Sequence, residues 1–307
     1  KADLNTDPRI CGCISPKPAG CSATCQNPII FDTNGDIVAA LLGEAARYTT
    51  HGTTIAENLP GQNNYIRFNA VINGACLEGT ADPLCPIQLS TQDIKDVIAH
   101  EMGHAIGLAH SQVNPNAIVN GILKPGFDAK AIPLMYPTIV KGSDHSTLHK
   151  DDQMSISHLY PKASFSGNYC RAVGNLFQGF GAVRCAEVVL RNSDTTGAKD
   201  QTDAISGVSG VEIANNGNYS ANNFCTVSPT SNCGRYEING LVPGQTYKIE
   251  VNKLPSNIQL FYCPNLPSFT PLAATGSITC SAAGKTVACD CSGISNCEVD
   301  ADLCHTF

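Results

Sequence analysis

The 307-residue chain lacks any apolar run close to the roughly 18 residues that a membrane-spanning helix requires. Its most apolar stretch, residues 37–46, already contains Gly43 and Glu44. It also lacks a cluster of lysine and arginine that could follow a phosphate backbone. With a formal charge of −7 as well, nucleic acid is excluded as an expected partner. Nothing at the amino end resembles a signal peptide, so Lys1 is expected to follow a processing site or a cloning boundary. No fixed period marks a repeat architecture. With 42% hydrophobic and 15% charged residues, what remains is a globular chain rather than a disordered one, and its length favours two domains.

Cysteine, by contrast, is abundant. There are 16, in local clusters at 11, 13, 21 and 25, at 76 and 85, at 170 and 185, at 225 and 233, and six between 263 and 304. An even number in clusters suits disulfides formed in an oxidising compartment, and so a secreted or cell-surface protein. The alternative is structural metal knots. Cys11-Gly-Cys13 and Cys289-Asp-Cys291 lack the two-residue gap usual between knot ligands, so disulfides are expected.

A compositional boundary falls at residues 161–168. It divides the chain into residues 1–162, with a Cys-rich N-terminal segment, and 163–307. The first part holds seven of the eight histidines and all three methionines. Residues 36–48 are predicted helical after the Asn34-Gly35 turn, and residues 65–70 read as a strand with one face buried. Ser90-x-x-Asp93 has the form of a capping box and predicts a helix to about Gly107. A further helix is predicted from Asp151-Asp152, whose carboxylates suit a helix start, to Pro161. The second part reads as all-β. Tyr247, Ile249 and Val251 alternate with Lys248 and Glu250, Tyr236 and Ile238 begin the same pattern, and Leu241-Val-Pro-Gly244 reads as the turn of a hairpin in a sandwich.

Residues 100–110 read His-Glu-Met-Gly-His-Ala-Ile-Gly-Leu-Ala-His. On a helix, His100 and His104 lie one turn apart on one face and can share a zinc ion. Gly107 can take a backbone conformation closed to other residues, letting the chain turn so that His110 arrives as the third ligand. Three neutral nitrogens leave a fourth position open for water, as catalysis requires. Glu101, beside the first ligand, is placed to act as general base to that water.

This segment resembles the metzincin zinc peptidases, and among them the matrixins. Ser111 after the third histidine is similar to the matrixin form. Leu134-Met135-Tyr136-Pro137 resembles the matrixin Met-turn, with Met135 as a support, and Leu148-x-x-Asp151-Asp152 with Leu159-Tyr160-Pro161 resembles the closing helix of that domain. The resemblance implies an α+β catalytic domain with a twisted sheet above the active-site helix, one zinc ion and a protein or peptide substrate. An all-β, sandwich-like, disulfide-rich domain would follow. Residues 234–247 are similar to carboxypeptidase-regulatory or prealbumin-like β domains, a resemblance that implies either a matrix or cell-surface ligand or a stalk. Asn218-Tyr-Ser is a lone glycosylation triplet.

The sequence also departs from the matrixin pattern. The 25 residues from His110 to Met135 are long for a matrixin. Upstream only His51 is available, so a second zinc has no evident ligand set. Asp32-Thr-Asn-Gly-Asp36 resembles half a calcium loop without the twelfth-position glutamate; a turn and helix cap is expected, with calcium the alternative. Pro8-Arg-Ile-Cys-Gly12 echoes the matrixin inhibitory segment, although local disulfides account for its cysteine more simply. Two further readings stand beside the endopeptidase. One is a binding or adhesion protein with a vestigial zinc site, against which Glu101 weighs; the other is a zinc hydrolase acting on a non-peptide bond.

Overall fold

The computed structural model describes residues 28–58, 65–79, 82–111, 113–178, 181–183, 185–193, 199–210, 212–213, 219–220, 234–254, 272–284, 286–287, 299–300 and 303–306. Residues 8–12, the remaining N-terminal cysteines and Asn218 lie outside them. Two compact units emerge, residues 1–109 and 110–307. Among the described residues no helix is long and apolar enough to cross a membrane, and no cysteine is free.

In the first unit β1 (Ile29–Asp32) leads to α1 (Asp36–Leu42), α2 (Ala46–Thr49), β2 (Gly52–Asn58), β3 (Tyr65–Asn73) and α3 (Thr91–Ala105). The helix predicted over 36–48 is broken. Gly43 takes a φ of 96°, its N–H closes α1 on the Ala39 carbonyl, and the chain restarts as α2. Asp32 Oδ2 accepts from the N–H groups of Ile37 (2.8 Å) and Val38 (3.0 Å), capping the first turn of α1. The sheet order is β1-β3-β2, with β1 parallel and β2 antiparallel to β3. As the middle strand, with α1 and α3 both packing on it, β3 is buried on both faces over residues 69–73 rather than on the one face its alternation predicts. A disulfide joins Cys76 and Cys85.

The second unit opens with a 3₁₀ turn at Pro115–Ala117 and a two-strand hairpin, β4 (Ile118–Val119) and β5 (Ile122–Leu123). Asn120 and Gly121 carry the positive φ values (51° and 74°) that such a tight hairpin demands. The long segment before the Met-turn is therefore folded. It has its own core of Ala117, Ile132 and Val140, onto which Leu123, Phe127 and Tyr136 pack. Then follow α4 (Lys150–Leu159), α5 (Phe165–Asn168), β6 (Cys170–Gln178), β7 (Gly181–Ala182), β8 (Ala186–Asn192), α6 (Lys199–Thr202), β9 (Ile205–Val208), and the pair β10 (Glu212–Ile213) and β11 (Tyr219–Ser220). The chain continues with β12 (Arg235–Leu241), β13 (Thr246–Lys253), β14 (Leu272–Thr279), β15 (Thr286–Val287), β16 (Val299–Asp300) and β17 (Leu303–Thr306).

One sheet runs β12-β6-β17-β16 and the other β14-β13-β8-β9. Their inner faces share a single apolar core that includes Leu176, Leu190, Tyr236, Ile238, Tyr247 and Ile249. The alternation predicted for β12 and β13 is present. The hairpin predicted between them is not, because β12 pairs with β6 whereas β13 pairs with β8 and β14. Residues 242–245 instead form an arch that carries the chain from one sheet to the other. The inward-facing side chains of both strands then meet across the core, and Val242 N–H donates to the Tyr247 hydroxyl (2.9 Å). A disulfide joins Cys170 at the start of β6 to Cys280 just after β14.

Helix α4 packs on β12 and β9. Met154 enters the sandwich core at Gly240, where a register shift in β12 and a φ of 94° leave space that a Cβ would take from the Met154 sulfur.

Candidate active site

Helix α3 carries the first three motif residues. Its start is the capping box read from sequence: Ser90 Oγ accepts from Asp93 N–H, and Asp93 Oδ2 accepts from Ser90 N–H (2.7 Å). Its end is a Schellman motif on Gly107, which has a φ of 97°. There Leu108 N–H donates to the Gly103 carbonyl and Gly107 N–H to that of His104. The helix ends at Ala105 with Ile106 as its C-cap, and the chain reverses as the spacing predicts.

Ile94, Val97 and Glu101 fall on one helical face, which packs on β2 and β3. Glu101 is thus drawn into an apolar interface with only 4% exposure. Thr54 of β2 donates to Glu101 Oε2 at 2.7 Å. The hydroxyl also lies 3.0 Å from the Glu101 carbonyl, but its single hydrogen is better used on the carboxylate. Gly52, two residues earlier, leaves the space that Glu101 and Val97 fill, since a Cβ there would overlap both. Burial pushes the Glu101 carboxyl up to about 7, against the opposing hydrogen bond from Thr54.

His100, His104 and His110 converge, offering one ring nitrogen each within 4.8 Å of one another. The rings of His100 and His104 meet edge to face, 4.7 Å between centroids. His104 Nδ1 lies 2.8 Å from the Leu108 carbonyl, so this nitrogen carries the proton and Nε2 is left as the ligand atom. Burial lowers the His104 pKa, which favours the neutral, ligating form. Three neutral imidazoles fit zinc. Zinc holds such nitrogens about 2.0–2.1 Å from itself, and the separations here are compatible with that.

Downstream, Met135 is buried. The turn around it is closed by Tyr136 N–H to the Pro133 carbonyl (3.1 Å) and by Asp152, whose carboxylate accepts from Leu134 N–H (2.8 Å) and Met135 N–H (3.1 Å). Burial, followed by the neighbouring Asp151 charge, pushes Asp152 up to about 7. Ser111 donates through its backbone to the Met135 carbonyl (2.9 Å) and through its hydroxyl to Asp151. The two aspartates do more than start a helix: Asp152 also holds the Met-turn and Asp151 also takes donors from Ser206, while His149 Nδ1 caps the helix by accepting from Asp151 N–H (3.1 Å). Thr54 and Gly52 had no signal in the sequence, because they lie some fifty residues from Glu101 and meet it only through sheet packing.

The helix, the three converging imidazoles and the buried carboxylate beside them define a metzincin-type zinc peptidase site. Residues 43–161 match the family model described as Matrixin, and this segment is a matrixin catalytic domain. Neither the curated proteins nor the solved structures contain a match to the chain.

Proposed function

We propose that the protein is a secreted endopeptidase in which His100, His104 and His110 hold one zinc ion, Glu101 is the general base, and Met135 supports the ligand loop through Ser111. The carrying observation is the Glu101 carboxylate, buried directly beside the first ligand and held at one oxygen by Thr54. Zinc, when bound, supplies Lewis-acid activation of water and of the scissile carbonyl. With one oxygen held by Thr54, the Glu101 carboxylate would take the proton of the attacking water and return it to the leaving amine. Strand β2 lies at an edge of the described sheet, where an extended peptide can pair with it. Specificity would be set near the Met-turn and the segment after Pro137.

The same reading assigns residues 1–162 to the peptidase and 163–307 to a β-sandwich accessory domain. In its support, the family match ends at 161 and the sandwich strands begin at Cys170. The disulfides support secretion. A calcium ion at Asp32–Asp36 would compete with the N–H donors already on Asp32 and with Arg47, whose guanidinium binds Asp36 at 2.7 Å. A matrix or cell-surface ligand of the sandwich belongs to the same proposal, read as retention of the Glu101→Ala variant on insoluble matrix.

The test of turnover is cleavage of a quenched-peptide library by zinc-loaded protein, chelated protein and Glu101→Ala. Cleavage lost on chelation, restored by zinc and abolished by the substitution is the expected pattern. A zinc-loaded native protein that cleaves nothing, or a Glu101→Ala variant that cleaves normally, overturns the proposal.

A further inference from the structure

His110 stands beyond the end of α3, so no helical hydrogen bond fixes where its ring lies. Whatever holds residues 110–114 holds the third ligand. Two anchors do so within the second unit. At Ser111 the hydroxyl donates to Asp151, a carboxylate with 2% exposure. The other donors on Asp151 are the Ser206 N–H and hydroxyl, from β9. At Asn114 the backbone takes a φ of 64° and the side chain is a three-way clamp. Its Nδ2 donates to the carbonyls of Ala131 (2.6 Å) and Gln201 (2.8 Å), and its Oδ1 accepts from Arg191 of β8.

These anchors are themselves fixed. The Arg191 guanidinium is oriented by Glu250 of β13 (2.8 Å). The Gln201 carbonyl also takes the Nε2 proton of His149 (2.9 Å), and the Gln201 side chain accepts from Asp128 N–H (2.9 Å). Beside them Val113 packs with Val189 and Ala204 in a fully buried cluster. The outer face of β8 is therefore covered by the ligand loop itself, and Ser206, Arg191 and Gln201, which bond Asp151 and Asn114, come from strands and a helix 55 to 87 positions later. A buried carboxylate stripped of its donors is strongly unfavourable. The loop thus has one well-satisfied position, and β-sandwich residues define it.

We propose that Arg191, Gln201 and Ser206 are positioning residues for the third zinc ligand, so that the β-rich region is a working part of the metal site and not a detachable stalk. This rests on the peptidase reading only in requiring that the three histidines bind zinc. Residues that orient a metal ligand at second hand typically change metal affinity by about 10- to 100-fold when lost.

The experiment uses the full chain with Ser206→Ala, Ser206→Thr and Arg191→Lys, the last keeping the charge and losing the fork that joins Glu250 to Asn114. Zinc affinity is measured by competition with a chromophoric chelator, and the metal-free proteins are melted in parallel. The expected result is a zinc dissociation constant raised about tenfold or more in Ser206→Ala and Arg191→Lys, near-native in Ser206→Thr, with cooperative melting retained. Native zinc affinity in both, whatever happens to the melting temperature, overturns the proposal. If Ser206→Ala does not fold, Arg191→Lys decides. A protein that shows this zinc pattern yet cleaves no peptide sinks the endopeptidase reading alone.

Discussion

Replacing Thr54 by valine keeps the shape of the side chain and removes one hydroxyl. In the native protein that hydroxyl is 2.7 Å from Glu101 Oε2, in an interface where the carboxylate has 4% exposure and little access to water. A hydrogen bond to a charged acceptor contributes about 1.5–3 kcal/mol. With about 1.4 kcal/mol to each factor of ten in rate, its loss should lower kcat by about 10- to 100-fold if the bond keeps Glu101 aimed at the attacking water. The effect belongs in kcat, because the carboxylate contacts the water and not the peptide, and KM should stay within about twofold. Zinc content should not change, since Thr54 touches no ligand. Thr54→Ser restores the donor and should recover most of the rate. The assay is peptide hydrolysis over a range of substrate concentrations, with zinc quantified in the same samples. A valine variant that keeps native zinc and turns over at the native rate refutes the idea that this hydroxyl holds the base.

Gly240→Ala should destabilise the second unit by about 2–4 kcal/mol, from overpacking against Met154 together with a positive φ. Denaturant melts read it, and adding Met154→Ala should recover part of the loss; an unchanged midpoint would show that the contact yields freely. Asp152 gives a pH prediction. Its folded pKa is raised by burial to about 7, from the 3.8 usual for an aspartate. Its protonated form therefore favours the fold, and that contribution is lost as pH rises from about 4 through about 7. In metal-free protein, the stability of native relative to Asp152→Asn should fall across this window by more than about 1 kcal/mol, a tenfold change in proton affinity being worth about 1.4 kcal/mol. A flat difference between the two proteins would contradict it.

The parts of the site that could be read from the sequence are those built from local rules. The capping box, the four-residue histidine spacing and the reversal at Gly107 each involve neighbours within one or two helical turns, and each is where the spacing puts it. Alternation likewise placed Tyr236, Ile238, Tyr247 and Ile249 inside. What escaped depends on distant partners. Nothing in residues 241–245 distinguishes a hairpin from an arch, because the difference lies in which strands β12 and β13 find as neighbours. Gly43 breaks a helix that apolar content alone would continue. Asp151 and Asp152 do open α4 as read, but their other partners, Ser111, Leu134, Met135 and Ser206, were not legible because they lie from 40 residues before them to 55 after. The length of the segment from His110 to Met135 was plain, but not that it carries its own hairpin and a clamp on β8.

The bond between Cys170 and Cys280 encloses 110 positions of sequence separation, including the start of one sheet and the end of a strand in the other. If the protein is secreted as proposed, its exposed turns are open to cutting by other peptidases, its own copies among them. A single cut anywhere inside that ring leaves the two pieces covalently joined. The severed ends stay within reach of their places in the core, so a nicked molecule behaves as a loop opened rather than a fragment released. Damage of this kind would show on a gel only after reduction. The chain can therefore take one such cut while the strands that steady its ligand loop remain in register.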